Sequence, residues 1–151
     1  MTHIALQFES RCDIINNKYK TYSSLTLAYI GDAVYEVFIR TKLVEDTDKK
    51  VNHLNKLAKD FVTAKSQSAI IEKLMPEFTE EETAVYLRGR NAKIYSKSKN
   101  SDLKEYHSAT GFEAVIGYLY LTKNEERLNF ILNKVVEKEE SENDSVNNFS
   151  R

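Results

Sequence analysis

Cysteine occurs once in this chain, proline once, glycine four times and tryptophan not at all. The lone Cys12 excludes an internal disulfide and fits a reducing, cytoplasmic setting. So little proline and glycine leaves scant turn chemistry for a β-protein, while plentiful Lys, Glu, Leu and Ala favour helices. No apolar run approaches the roughly 20 residues needed to span a bilayer. The first residues lack a basic stretch followed by an apolar block, so no secretory signal and no membrane association are expected. Charge of one sign is missing too: 22 Lys and Arg stand against 23 Asp and Glu, a net of −1.

What remains is 151 residues with 41% apolar content, enough for one all-α domain with its own core. The small net charge conceals a distribution. Arg88, Arg90, Lys93, Lys97, Lys99 and Lys104 are opposed over their stretch only by Asp102. From Glu137 onward, Glu137, Glu139, Glu140, Glu142 and Asp144 outweigh Lys138 and Arg151. Local charge, not the total, governs phosphate binding.

Residues 4–20 are weakly amphipathic and fit a leading helix. Ser23 or Ser24 is expected to cap a helix from about Leu25 to Lys42. That helix is apolar nearly all round, except that Asp32, Glu36 and Arg40 recur at i, i+4 and i+8. The pattern predicts a central helix with one charged seam, Glu36 pairing with Arg40. Val51, Leu54, Leu57, Ala58, Phe61 and Val62 mark a second helix to about Lys65, and a third holds Ile70, Ile71 and Leu74 before Pro76. Thr79 and Glu82 form a capping box opening a helix to about Arg90. Residues 89–102 read as a long basic loop, and Tyr106–Leu121 as a second apolar helix. Asn124 caps a last helix bearing Leu128, Ile131, Leu132, Val135 and Val136.

Two carboxylates sit where they are expensive. Asp32 lies in the apolar stretch Leu27–Phe38, and Glu113 is the only charge in Ala109–Leu121. A buried carboxylate costs several kcal/mol unless protonated, paired or coordinated. Gly31 beside Asp32, with Ala109 and Gly117 flanking Glu113, would let two helices cross closely and bring the carboxylates together. Such a pair suits a hard divalent cation, and ion pairing within an inert core is the competing explanation. His3, His53 and His107 form no ligand set.

Three motifs then carry a family resemblance: Ala28–Glu36 (AYIGDAVYE), Gly89–Lys93 (GRNAK) and Ala109–Ala114 (ATGFEA). Together, over roughly residues 20–137, they resemble the catalytic domain of ribonuclease III, in particular its short Mini-III branch. The resemblance implies an all-helical homodimeric endonuclease that cuts double-stranded RNA with Mg²⁺. For the Mini-III branch it implies maturation of the 5′ and 3′ ends of the 23S ribosomal RNA precursor. Asp32 and Glu113 become the expected catalytic and metal-binding residues. The longer enzymes add a double-stranded RNA-binding domain, which is not expected here. RNA contacts therefore fall to Arg88, Arg90, Asn91, Lys93, Lys97 and Lys99, and Gly89 is a place for backbone amides to meet a phosphate.

The expected organisation is a helical lead-in over 1–20, the catalytic domain over 21–137 and an acidic disordered tail over 138–151. Two departures stand out. Ala28 and Thr110 occupy positions where the longer enzymes carry acids. The reduced cluster predicts modest Mg²⁺ affinity. It is also the best support for the alternative, a non-catalytic RNA-binding or ribosome-associated protein on the same fold.

Overall fold

The computed structural model describes residues 21–93 and 102–147, with side chains described as far as Glu137. The expected lead-in over 1–20 lies outside the described residues, as do residues 94–101 of the basic segment.

Helix α1 spans Ser24–Asp46, and Ser23 is its cap: the backbone there is extended and Oγ accepts from Thr26 N at 3.2 Å. Helices α2 (Val51–Val62) and α3 (Ala64–Leu74) are separated at Thr63, two residues earlier than the apolar stripe suggests. Thr63 is extended, and its hydroxyl accepts from Ser66 N at 3.2 Å, so one helix ends where the next is capped. Pro76 closes α3 through a 3₁₀ turn, Met75–Glu77. Helix α4 (Glu80–Arg90) opens with both arms of the expected capping box, each 3.1 Å long. Helix α5 runs Leu103–Leu121 from an Asp102 cap.

Helix α6 runs Glu125–Asn147, starting where Asn124 Oδ1 accepts from Arg127 N at 3.3 Å. Its backbone thus stays helical well into the acidic segment expected to be disordered. No Gly or Pro interrupts that segment, and Glu and Lys are good helix formers.

Among the described residues the fold is all-α, and α5 is its axis. Helices α1, α3 and α4 pack directly on α5, and α6 packs along another side. Tyr35 and Phe112 are fully buried and meet edge-to-face, centroids 5.3 Å apart, where α1 crosses α5. Tyr35 also donates its hydroxyl to the Phe61 carbonyl at 2.8 Å, satisfying one of the open carbonyls ending α2. Helix α1 is central only on one side. Leu25, Tyr29, Ala33 and Val37, four residues apart in turn, form an exposed apolar strip, with Tyr29 at 83% exposure.

One polar tie holds α4 to α6. Arg127 reaches both oxygens of buried Glu82, at 2.7 and 3.0 Å, and donates to the Glu77 carbonyl at 2.9 Å. Arg127→Met would leave the Glu82 carboxylate buried and uncompensated. Stability should fall by about 3 kcal/mol or more in urea titration. A loss below about 1 kcal/mol would mean the pair is a surface contact.

Candidate active site at the α1–α5 crossing

Glycine is what lets α1 meet α5. A Cβ added to Gly31 would lie 2.7 Å from the Glu113 carbonyl carbon and 2.8 Å from Gly117 N. One added to Gly117 would lie 2.8 Å from the Leu27 carbonyl carbon. The helices therefore touch backbone to backbone, and the residue after Gly31 faces the turn that bears Glu113. Small residues do what the sequence suggests of Gly31 and Gly117.

Asp32 and Glu113 lie close enough across this crossing for each to perturb the other's titration. Their environments differ from the expectation of two buried acids. Asp32 is exposed, and Glu113 is the more enclosed of the pair. Burial of the carboxyl raises the Asp32 pKa, the Glu36 charge adds to it, and the hydrogen bond from Glu113 opposes both. The Glu113 carboxyl is pushed up to about 8, first by burial and then by the Asp32 charge, against a lowering hydrogen bond from Gln67. Glu113 thus holds its proton near neutral pH. A proton on one of two neighbouring carboxylates is what a divalent cation displaces.

The donors present fit such an ion. Among the described residues no group of three or more His, Cys, Asp or Glu is arranged to hold a metal. Asp32 and Glu113 would therefore supply two ligands, and the remaining positions suit water and phosphate oxygens. Glu36, the nearest further acid on α1, pairs with Arg40 as expected. Thr110, at one of the two departed positions, is buried and donates its hydroxyl to the Tyr106 carbonyl at 2.9 Å. His107, on the same helix, turns a buried, unpartnered Nδ1 inward.

Proton and cation compete for the same place, so pH decides stability. The Glu113 pKa is raised from 4.5 to about 8 on folding. Between those values the unfolded chain ionises there while the folded chain keeps its proton. This stabilising contribution is therefore full below pH 4.5 and lost as pH rises towards 8. Metal-free protein should melt at progressively lower temperature from pH 5 to 8. Glu113→Gln, neutral throughout, should flatten the trend. An equal slope in both proteins would place the proton elsewhere.

Gln67 is the site residue that sequence reasoning missed. It is fully buried on α3, donates Nε2 to the Val62 carbonyl at 3.3 Å and acts to lower the Glu113 pKa. Its Oε1 is buried without a partner, which costs about 1–3 kcal/mol. The residue type is unremarkable in the sequence, and nothing in its spacing marks it out.

The basic turn packs on α5 through Gly89. Gly89 is buried, and a Cβ there would sit 2.9 Å from Gly111 Cα and 3.1 Å from Ala114 Cβ. Its smallness serves helix packing, so it is not the exposed phosphate-facing position expected. Arg88 and Arg90 flank it, both exposed, and Arg90 leans over the Tyr86 ring, 5.9 Å from its centroid. Arg88, Asn91 and Lys93 line a depression against Ser23 and Ser24 at the start of α1. Lys97 and Lys99 lie outside the described residues.

Residues 25–124 match the ribonuclease III domain. A curated Mini-ribonuclease 3 of Staphylococcus aureus is 46% identical over 123 residues, covering 80% of this chain and 92% of its own length. That of Clostridium tetani is 45% identical over 135 residues, covering 87% and 89%. This chain belongs to the Mini-ribonuclease 3 family. A crystal structure of a Fusobacterium nucleatum protein shares the fold, with TM-score 0.72 and 36% identity, covering 81% of this chain and 98% of that one.

Membership makes the chain an endoribonuclease of the ribonuclease III type. Enzymes of that type are generally divalent-metal dependent and act on double-stranded RNA. No helix among the described residues is long and apolar enough to cross a membrane. The pair Asp32–Glu113 sits on an open helix crossing, with Asp32 exposed. Small-molecule sites are typically enclosed, whereas an open one admits a polymer as wide as a duplex.

Proposed function

We propose that this chain is a Mg²⁺-dependent endoribonuclease that cleaves double-stranded RNA, with Asp32 and Glu113 as its catalytic and metal-binding residues. The observation that carries this is the backbone-to-backbone meeting of α1 and α5 at Gly31 and Gly117, which brings Asp32 to the turn bearing Glu113, whose pKa its charge raises. When bound, Mg²⁺ supplies Lewis-acid stabilisation of the leaving oxygen and a more acidic water. Asp32 and Glu113 orient it, and the carboxylates must both be ionised to do so. Arg88, Arg90, Asn91 and Lys93, with Lys97 and Lys99, grip the phosphate backbone, giving salt-dependent and largely sequence-independent affinity.

The exposed strip Leu25, Tyr29, Ala33 and Val37 supports a homodimer, since a self-complementary helix face suits a two-fold interface. Two such sites would each cut one strand. The family resemblance extends the proposal to a cytoplasmic role in maturing both ends of the 23S ribosomal RNA precursor.

The test is cleavage of labelled duplex and single-stranded RNA by the purified protein, with Mg²⁺ and with a chelator. Cutting of duplex alone, only with Mg²⁺, is expected. A precursor of 23S ribosomal RNA should be trimmed at both ends of the mature sequence. Duplex binding without cleavage at any Mg²⁺ concentration would favour the non-catalytic alternative.

A further inference from the structure

We infer that a cavity around the start of α1 holds one unpaired nucleotide whose base carries an exocyclic amine. The cavity measures about 570 Å³, within the range of small-ligand sites. Neither Asp32 nor Glu113 lines it. Tyr22, Ser24 and Leu27 form one wall, Glu81 and Arg88 of α4 a second, and Tyr118 of α5 a third. These walls are fixed against each other. Leu27 is buried, and Gly117, next to Tyr118, lets the last turns of α5 meet the Leu27 carbonyl.

Its two charged groups are open to a ligand. The Tyr118 hydroxyl donates to Oε1 of Glu81, which steadies the carboxylate and leaves Oε2 to accept from a ligand. Arg88 makes no hydrogen bond or ion pair among the described residues, although Glu81 lines the same cavity. Seven residues separate the two on one face of α4, about 10 Å along the helix axis. The cavity therefore has an anionic end and a cationic end. A nucleotide matches that polarity: its phosphate is repelled by Glu81 and drawn to Arg88, so its base must point to Glu81. Tyr22 and Tyr118 supply ring faces of the kind on which unpaired bases stack.

Two further features decide the class of ligand. Arg88 also lines the neighbouring depression with Asn91 and Lys93, so the phosphate end opens onto the surface assigned above to the RNA backbone. The inference rests on that RNA-binding reading for the strand, whereas the cavity itself requires only a nucleotide. The free Oε2 selects the base. Carboxylates accept from cytosine N4, and adenine and guanine also carry amines, whereas uracil presents two carbonyls around a single N–H. Leu27 precedes Asp32 by five residues, roughly 7–8 Å along α1. A nucleotide held here lies next to the cut.

Cytidine and uridine 5′-monophosphate differ only on the base edge, so they test the cavity in the full-length parent protein. With a chelator present, binding is read without cleavage. In an NMR titration the cytidine nucleotide should shift Tyr22, Ser24 and Tyr118 and bind at least about 5-fold tighter than the uridine nucleotide. Glu81→Gln, at an exposed position, keeps an acceptor for Tyr118 and turns a donor to the ligand. The preference should then vanish or invert. No binding, equal binding of the two nucleotides, or a preference that survives Glu81→Gln would overturn the inference. So would shifts confined to residues around Asp32 and Glu113. A second arm identifies the source of the nucleotide. A duplex ending in two unpaired cytidines should bind about 10-fold tighter than a blunt one, and free cytidine nucleotide should compete that gain away. Binding of the free nucleotide with no gain from the overhang supports the cavity with a free nucleotide as its ligand. The two ideas fail separately. A protein that binds the cytidine nucleotide yet never cuts duplex RNA would defeat the proposed function alone, whereas one that cuts duplex RNA but ignores both nucleotides would defeat only the cavity.

Discussion

Asp32→Asn is expected to abolish cleavage while leaving the fold and duplex binding in place. The substitution keeps the shape of the side chain and removes its anionic charge. On the proposed assignment, with no larger cluster among the described residues, the substitution would leave Glu113 as the sole anionic protein ligand. A metal supplies several kcal/mol of transition-state stabilisation, and each 1.36 kcal/mol is tenfold in rate. Single-turnover cleavage should therefore drop by roughly 10³-fold or more. Stability points the other way. Asp32 is exposed, so the change opens no cavity, and substitutions at such places shift stability by about 0.5 kcal/mol or less. Removing its charge also relieves Glu113, whose raised pKa owes part of its shift to Asp32. Circular dichroism and a gel shift with duplex RNA should match the parent. Cleavage within tenfold of the parent would remove Asp32 from the site.

What the sequence showed and what it hid divide along the range of the interactions. Ser23, the Thr79–Glu82 capping box and the Glu36–Arg40 pair are contacts between residues three or four apart, so spacing alone reveals them. Gly31 and Gly117 were legible for another reason: glycine in an apolar helix needs a close neighbour to justify it. Long-range partners were not legible. Arg127 meets Glu82 across 45 positions, and Gln67 acts on the Glu113 pKa from a different helix. Gly89 looked like a loop glycine because basic residues surround it, yet α5 covers it. Burial was misjudged at Asp32, since an apolar context in sequence does not say which side of a helix is covered. The exposed strip on α1 explains that error, as its apolar residues are uncovered among the described residues.

Gly31→Ala tests the crossing itself. Two effects oppose one another. The backbone at Gly31 is helical and has no positive φ, so alanine gains about 1 kcal/mol of helix propensity. Against that, the new methyl would overlap the Glu113 carbonyl oxygen and lie 2.7 Å from its carbon. Those atoms are backbone of a central helix, so no side chain can swing away, and α1 must shift bodily from α5. Overpacking of well-packed cores costs about 1–3 kcal/mol, occasionally more, and backbone-to-backbone overlap belongs to the upper end. Steric cost should win, with a net loss of about 3 kcal/mol or more in urea denaturation. Function should suffer beyond the loss of fold, because a shift of roughly 1 Å at a reacting centre can cost about 10²-fold in rate. Gly89→Ala is the measured contrast, since its methyl would meet Gly111 Cα at 2.9 Å and the Ala114 side chain at 3.1 Å, without the outright overlap. It should cost less stability and leave more activity. A Gly31→Ala protein as stable as its parent would show that propensity wins and that α1 has room to spare, and the convergence of Asp32 with Glu113 would then need a different cause.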